Sequence, residues 1–285
     1  MKLDVETPAA LMDVTNIPNL DRVEAVGGHL IFGALARMSD AAAHPEVLRR
    51  CPALAESLSK AASQQLRNMA TLGGNLLQRT RCAYFRNGAH YPCNKRAPGS
   101  GCAAQEGLDR GHALFGGSEA CIAVYPGDWA VALLAMDATL DLLGPRGQRS
   151  LPVAALHRLP GDRPQQETAL EPGEMILRIR VPVDRIGRAS TYHKIRDRES
   201  YAFALVSAAV ALDMERGVVR EARIALGGVA TRPWRVPEAE AALAGRRLDT
   251  DLAAEAGRLA LPGRGRAGTT ASRSNWVGGP WPTPS

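Results

Sequence analysis

From Gln78 to Gly117 the chain runs for 40 residues without apolar periodicity. Four of its five cysteines lie in that stretch or just beyond it: Cys82, Cys93, Cys102 and Cys121, at intervals of 11, 9 and 19. The segment is rich in Gly, Pro, Asn and Arg, as in Arg81-Cys82-Ala83-Tyr84-Phe85, Tyr91-Pro92-Cys93-Asn94-Lys95-Arg96 and Gly99-Ser100-Gly101-Cys102. An irregular segment this long inside a globular chain needs something to hold it. Four thiolates around a metal centre would do so, because ligand binding energy is then folding energy. The spacing lacks the paired C-x-x-C of zinc ribbons. An iron–sulfur cluster needs only four converging thiolates, and neighbouring cations offset its negative charge. Six basic residues against two acids between Arg79 and His112 supply such cations. Unrelated buried or free thiols are the alternative. Cys51, on an apolar helical face, reads as core.

Five cysteines in 285 residues, behind a start (Met1-Lys2-Leu3-Asp4-Val5-Glu6) without a secretory apolar run, do not describe a disulfide scaffold. No apolar run approaches the roughly 20 residues that span a bilayer. With no signal of its own, the chain fits the cytoplasm, or export together with a partner subunit. The net charge of +6 is confined to the cysteine segment and to residues 256–285, each at +4, while the remainder carries −2. That distribution argues against a general nucleic-acid-binding face.

Outside the cysteine segment the periodicities alternate between strand and helix, which predicts an α+β fold. Leu11–Val14 reads as a short strand. Val23–Val26 and His29–Phe32 read as a hairpin turned by Gly27-Gly28. Pro45–Ala62 has helical spacing that Pro52 must split, and Leu66–Leu77 follows with Gly73-Gly74 inside it. Asp128 stands as an N-cap before a buried helix over Trp129–Met136. Thr139–Leu143, Glu174–Val183 and Thr191–Arg196 read as strands. Ala202–Leu212 and Val218–Val229 suggest a long hairpin around Glu215-Arg216-Gly217, before a short helix over Pro237–Ala244. After about Asp251 no apolar stripe remains, and the tail reads as structureless.

The second chemical signal is Asn68-Met69-Ala70-Thr71-Leu72-Gly73-Gly74-Asn75-Leu76. Adjacent glycines allow positive φ and close approach of backbone N–H groups to an anion, and Thr71 and Asn75 add side-chain donors. The string is neither a G-x-G-x-x-G fingerprint nor a P-loop.

Ala70-Thr71-Leu72-Gly73-Gly74-Asn75-Leu76-Leu77-Gln78-Arg79-Thr80-Arg81-Cys82 resembles the FAD-binding subunit of the molybdenum hydroxylases, the xanthine dehydrogenase and aldehyde oxidoreductase family. Pro92-Cys93-Asn94-Lys95-Arg96, Gly99-Ser100-Gly101-Cys102 and Arg110-Gly111-His112-Ala113 are similar to the cysteine-rich insertion of its bacterial aldehyde oxidoreductase branch. The resemblance, over residues 1–247, implies a flavin domain of the vanillyl-alcohol-oxidase type over 1–183, with the insertion at 79–121. It implies a CO-dehydrogenase-flavoprotein-like domain over 184–250, an antiparallel sheet covered by helices, and an atypical tail over 251–285. It implies FAD held by Thr71, Gly73, Gly74 and Asn75, with Asp128 on the nucleotide, Ile176 beside the isoalloxazine and Lys194 near the flavin. It implies a 4Fe–4S cluster on Cys82, Cys93, Cys102 and Cys121.

The activity implied is electron transfer. A molybdenum-cofactor large subunit oxidises an aldehyde or N-heterocycle, a small subunit with 2Fe–2S centres relays electrons to FAD on this chain, and an external acceptor removes them. No residue here should then touch the organic substrate. The family's first glycine loop precedes Met1 in register, so the chain as written is expected to bind FAD weakly. The competing readings are a non-enzymatic, metal-stapled binding module and a non-functional fragment of the flavin subunit.

Overall fold

The computed structural model describes residues 5–87 and 90–260. Its first strands, β1 (Val23–Val26) and β2 (His29–Gly33), pair antiparallel across Gly27 and Gly28. Those glycines sit at φ +57° and +76° with open space where a Cβ would be, so handedness alone selects glycine there. Four short helices follow: α1 (Met38–Ala43), α2 (Pro45–Arg50), α3 (Pro52–Ser59) and α4 (Gln64–Met69). Pro45 and Pro52 each open a helix, where the missing N–H costs nothing. Cys51 caps the break between α2 and α3 and is buried in the core, and burial pushes its thiol up to about 12. The glycine string forms α5 (Leu72–Leu76), and the cysteine segment contributes one helical turn, α6 (Ala83–Arg86).

Every residue of α7 (Trp129–Ala135) is buried, as an all-apolar helix must be. Strands β3 (Thr139–Gly144) and β4 (Gly147–Pro152) form a second hairpin, followed by the turn α8 (Val153–Leu156) and by β5 (Met175–Pro182). The first sheet is antiparallel in the order β1-β2-β5-β3-β4. Leu30, Phe32, Ile179, Val181 and Leu140 line its core face. Phe32 meets Trp129 of α7 edge to face, at 5.6 Å and 80°.

After α9 (Arg185–Arg188), a second antiparallel sheet is built from β6 (Ser190–Ile195), β7 (Val206–Glu215), β8 (Val218–Gly227) and the short β9 (Trp234–Arg235), in sequence order. α10 (Pro237–Leu243) and α11 (Thr250–Leu259) cover it through Ala239, Leu243, Leu252 and Ala256. On its other side α7 packs on β7 and β8, so one apolar helix serves both sheets.

Two expectations need correction, and one strand has no counterpart in the sequence reading. Leu11–Val14 forms no strand, and Leu11 and Met12 are exposed. Gly147–Pro152 is a strand despite its polar content, because β3 supplies its partner. The structureless tail begins too early in the sequence reading. Asp249 caps α11 through Leu252 N–H at 2.8 Å, and the helix buries Leu252 and Ala256. Residues 261–285 lie outside the described residues.

Candidate flavin turn and four-thiol site

At the start of α5, Thr71 Oγ1 accepts from Gly74 N–H at 3.2 Å. Leu72 and Gly73 donate their N–H groups to Ala36 and Ala34 carbonyls at 3.0 and 2.8 Å. The turn is thereby stitched to the chain leaving β2. Positive φ, expected for Gly73 and Gly74, is not what they supply: both have helical backbone. Gly73 is there for proximity, since a Cβ would lie 3.0 Å from both Ala34 Cβ and Ala34 O. Gly74 is exposed, and a Cβ on it would lie 3.0 Å from Thr71 Oγ1. Asn75 donates its amide to Met38 Sδ at 3.5 Å, which leaves its buried Oδ1 without a partner. An open glycine edge beside an unpaired buried acceptor suits a polar ligand such as a nucleotide.

The far end of the turn is pinned by two residues that sequence reasoning missed. Leu76 O accepts from Tyr125 OH at 3.1 Å and from His157 Nε2 at 3.0 Å, and the two rings lie 4.1 Å apart. Burial lowers the His157 pKa to about 4, so at neutral pH the imidazole is uncharged and donates through Nε2.

Asp128 holds the N-cap position of α7 but does not cap it with its side chain. Its side chain makes no cap hydrogen bond, and the residue itself is helical at φ −77°. Its carboxylate instead accepts from Tyr192 OH at 2.7 Å and Lys194 Nζ at 2.8 Å. Lys194 also donates to Lys60 O at 3.0 Å. Both side chains of the pair are buried, and burial raises the Asp128 pKa and lowers that of Lys194, with their mutual attraction opposing both shifts. Alternation along β6 could have flagged Tyr192, two residues before Lys194 on the same face. Ile176 lies on β5 opposite Leu142, 3% exposed and within the main core. The structure thus brings Asp128 to Lys194, and holds Ile176 among core side chains.

All four clustered thiols line one cavity, with Phe85, Pro92 and Lys95 among the other walls. Cys82 precedes α6. Cys93 and Cys102 face each other across an antiparallel bridge, and Cys121 closes a tight turn with Ser118. Burial pushes the Cys82 thiol up and that of Cys121 to about 11, so only a bound cation would displace their protons at neutral pH. His112 Nε2 lies 3.2 Å from Cys82 Sγ, a contact that spacing does not disclose. Cys51 is far from the group, beside Ser190 Oγ at 3.9 Å. Among the described residues no set of three or more Cys, His, Asp or Glu side chains is arranged to hold a metal ion. One tetrahedral ion would need sulfurs about 3.8 Å apart, given Zn–S bonds of about 2.3 Å; a multi-iron cluster spreads its ligands wider.

Two antiparallel sheets sharing a buried helix, with a glycine turn on the first, define an FAD-binding fold of the molybdenum-hydroxylase kind. Residues 1–184 match the FAD binding domain in molybdopterin dehydrogenase, and 190–263 the CO dehydrogenase flavoprotein C-terminal domain. The chain belongs to this family of FAD-binding subunits. It is 49% identical over 245 residues to the aldehyde oxidoreductase FAD-binding subunit PaoB of Escherichia coli K12, covering 85% of this chain and 75% of that protein. The carbon monoxide dehydrogenase medium chain of Afipia carboxidovorans is 28% identical over 249 residues, 87% of this chain and 69% of that one. The solved carbon monoxide dehydrogenase from Hydrogenophaga pseudoflava superposes with a TM-score of 0.72 at 25% identity, over 98% of this chain and 81% of that one. Among the described residues no helix is long and apolar enough to cross a membrane.

Proposed function

We propose that this chain is the FAD-binding, electron-transferring subunit of a molybdenum-dependent aldehyde oxidoreductase of xanthine dehydrogenase type, and that it carries a 4Fe–4S cluster. Its partners are a large subunit holding the molybdenum cofactor and a small subunit with 2Fe–2S centres. The observation that carries the reading is the coincidence, in one chain, of the α5 glycine turn and a single cavity lined by Cys82, Cys93, Cys102 and Cys121. The 49% identity to an aldehyde oxidoreductase subunit favours aldehydes over N-heterocycles as the partner's substrate class.

Bound FAD would accept electrons from the iron–sulfur centres and release them to an external acceptor. The chain's own contribution is binding and orientation. The exposed edge at Gly74 and the unpaired Asn75 Oδ1 receive polar groups of the nucleotide. The buried Asp128–Lys194 pair fixes the neighbouring scaffold. Ile176, buried on β5, would pack behind the ring system as part of the core rather than as an exposed wall.

Anaerobic purification followed by absorption spectroscopy and iron analysis tests this. Flavin bands near about 450 nm with a broad iron–sulfur shoulder are expected. Serine at Cys82, Cys93, Cys102 or Cys121 should lower bound iron, and Cys51→Ser should not. A colourless zinc protein would instead establish the metal-stapled binding module, and equal iron in all five variants would remove the cluster.

A further inference from the structure

We propose that His112 is a positioning residue of the four-cysteine site: its Nε2–H donates to the Cys82 thiolate and raises the reduction potential of a cluster bound there. The inference rests on the iron–sulfur reading above. His112 is not among the residues lining the cavity, and its Nε2 lies 3.2 Å from Cys82 Sγ. It can therefore act on the sulfur without competing for iron. A metal-bound thiolate has no proton to give, so the imidazole nitrogen must be the donor, which fixes the tautomer.

The ring is held in place. It is 5% exposed and tilted against Tyr84 at 6.0 Å. The backbone N–H of His112 donates to Asp109 O at 2.7 Å, and those of Ala113 and Leu114 to Ile122 O and Val229 O at 2.9 and 2.7 Å. Cys121, by contrast, receives the backbone N–H of Ala123 at 3.4 Å. Cys82 is thus the thiol that the imidazole reaches. Donors to a ligating sulfur withdraw electron density and favour the reduced, more negative state, which raises the potential.

The test uses the full chain in its native complex, as wild type, His112→Gln and His112→Phe. Glutamine keeps an N–H donor and phenylalanine keeps only the shape. Iron and acid-labile sulfide per chain are measured beside the midpoint of the cluster's paramagnetic resonance signal in a mediated redox titration. The expected result is unchanged iron in all three, a lower midpoint in His112→Phe and one close to wild type in His112→Gln. Full iron with an unshifted midpoint in His112→Phe overturns the inference. If His112→Phe instead loses iron, the wild type decides. With isotopically labelled histidine, pulsed resonance of the reduced cluster should show coupling to the imidazole nitrogen, and its absence overturns the inference. A wild type that holds no iron after anaerobic reconstitution overturns the cluster reading itself, an outcome distinct from the unshifted midpoint.

Discussion

His157 turns burial into a pH dependence whose sign can be worked out. Its pKa falls from 6.5 in the unfolded chain to about 4 in the fold. Between those values the unfolded state binds the extra proton, so stability is full above pH 6.5 and is lost as pH falls toward 4. At 1.36 kcal/mol per unit, the loss is on the order of 3 kcal/mol. Urea unfolding at pH 6.5 and pH 4 should show His157→Gln losing correspondingly less than wild type; parallel losses would refute the assignment. A second residue-scale prediction concerns the buried pair. Lys194→Met leaves the Asp128 carboxylate without its cation and should cost about 3–5 kcal/mol, much of it recovered in the double variant Asp128→Asn/Lys194→Met. Strictly additive costs in a double-mutant cycle would show that the two do not act together. The resemblance singled out both residues, but their pairing was invisible in the sequence. It depends on the residue before α7 reaching β6, a contact between positions 66 residues apart.

Among the elements, those with their own periodicity were legible: β1–β2, α2–α3, β5 and the β7–β8 hairpin lie where the spacing put them. Elements sustained by a neighbour were not. β4 borrows its ladder from β3, and α11 has a narrow apolar stripe that becomes useful only against α10. α5 shows the same limit on a smaller scale. Its glycines were visible, but the reason for Gly73 is the carbonyl and methyl of Ala34, on a segment 39 residues earlier. Gly73→Val should therefore push α5 off the end of β2 and weaken FAD retention by at least an order of magnitude. Gly74→Ala, exposed and facing only Thr71 Oγ1, should weaken it less. Flavin content after gel filtration ranks the two. The reverse order would mean that the turn meets the flavin through Gly74 alone.

Across the whole molecule, five of the six basic residues of the cysteine segment, all but Arg86, have partners among the described residues of the chain. Lys95 and Arg79 share Glu167 on the chain leading to β5, at 2.7 Å each. Arg110 grips Asp197 in the β6–β7 connection with both guanidinium nitrogens, at 2.9 and 3.2 Å. Arg81 lies over the Phe203 ring at 5.4 Å, and Arg96 donates to the carbonyls of Phe85 and Tyr91 at 2.8 and 2.6 Å. These partners explain why a charge that suggests nucleic acid in composition does not form a free basic face. They also tie the insertion to both sheets. Leu114 N–H reaches Val229 O, Thr231 Oγ1 reaches Gly116 O at 2.7 Å, and Phe115 packs on Trp234 at 5.5 Å. A metal held by the four thiols would then stabilise more than its own loop. Chelating the iron should speed hydrogen exchange at residues 228–235 as well as at 79–121, and leave the β1–β2 hairpin unchanged. The melting temperature should fall too: a loss of even 3 kcal/mol corresponds to about 6–12 °C for a chain of this size class. Exchange confined to 79–121, with an unmoved melting temperature, would show that the insertion is an appendage and that its contacts with the second sheet carry no energy.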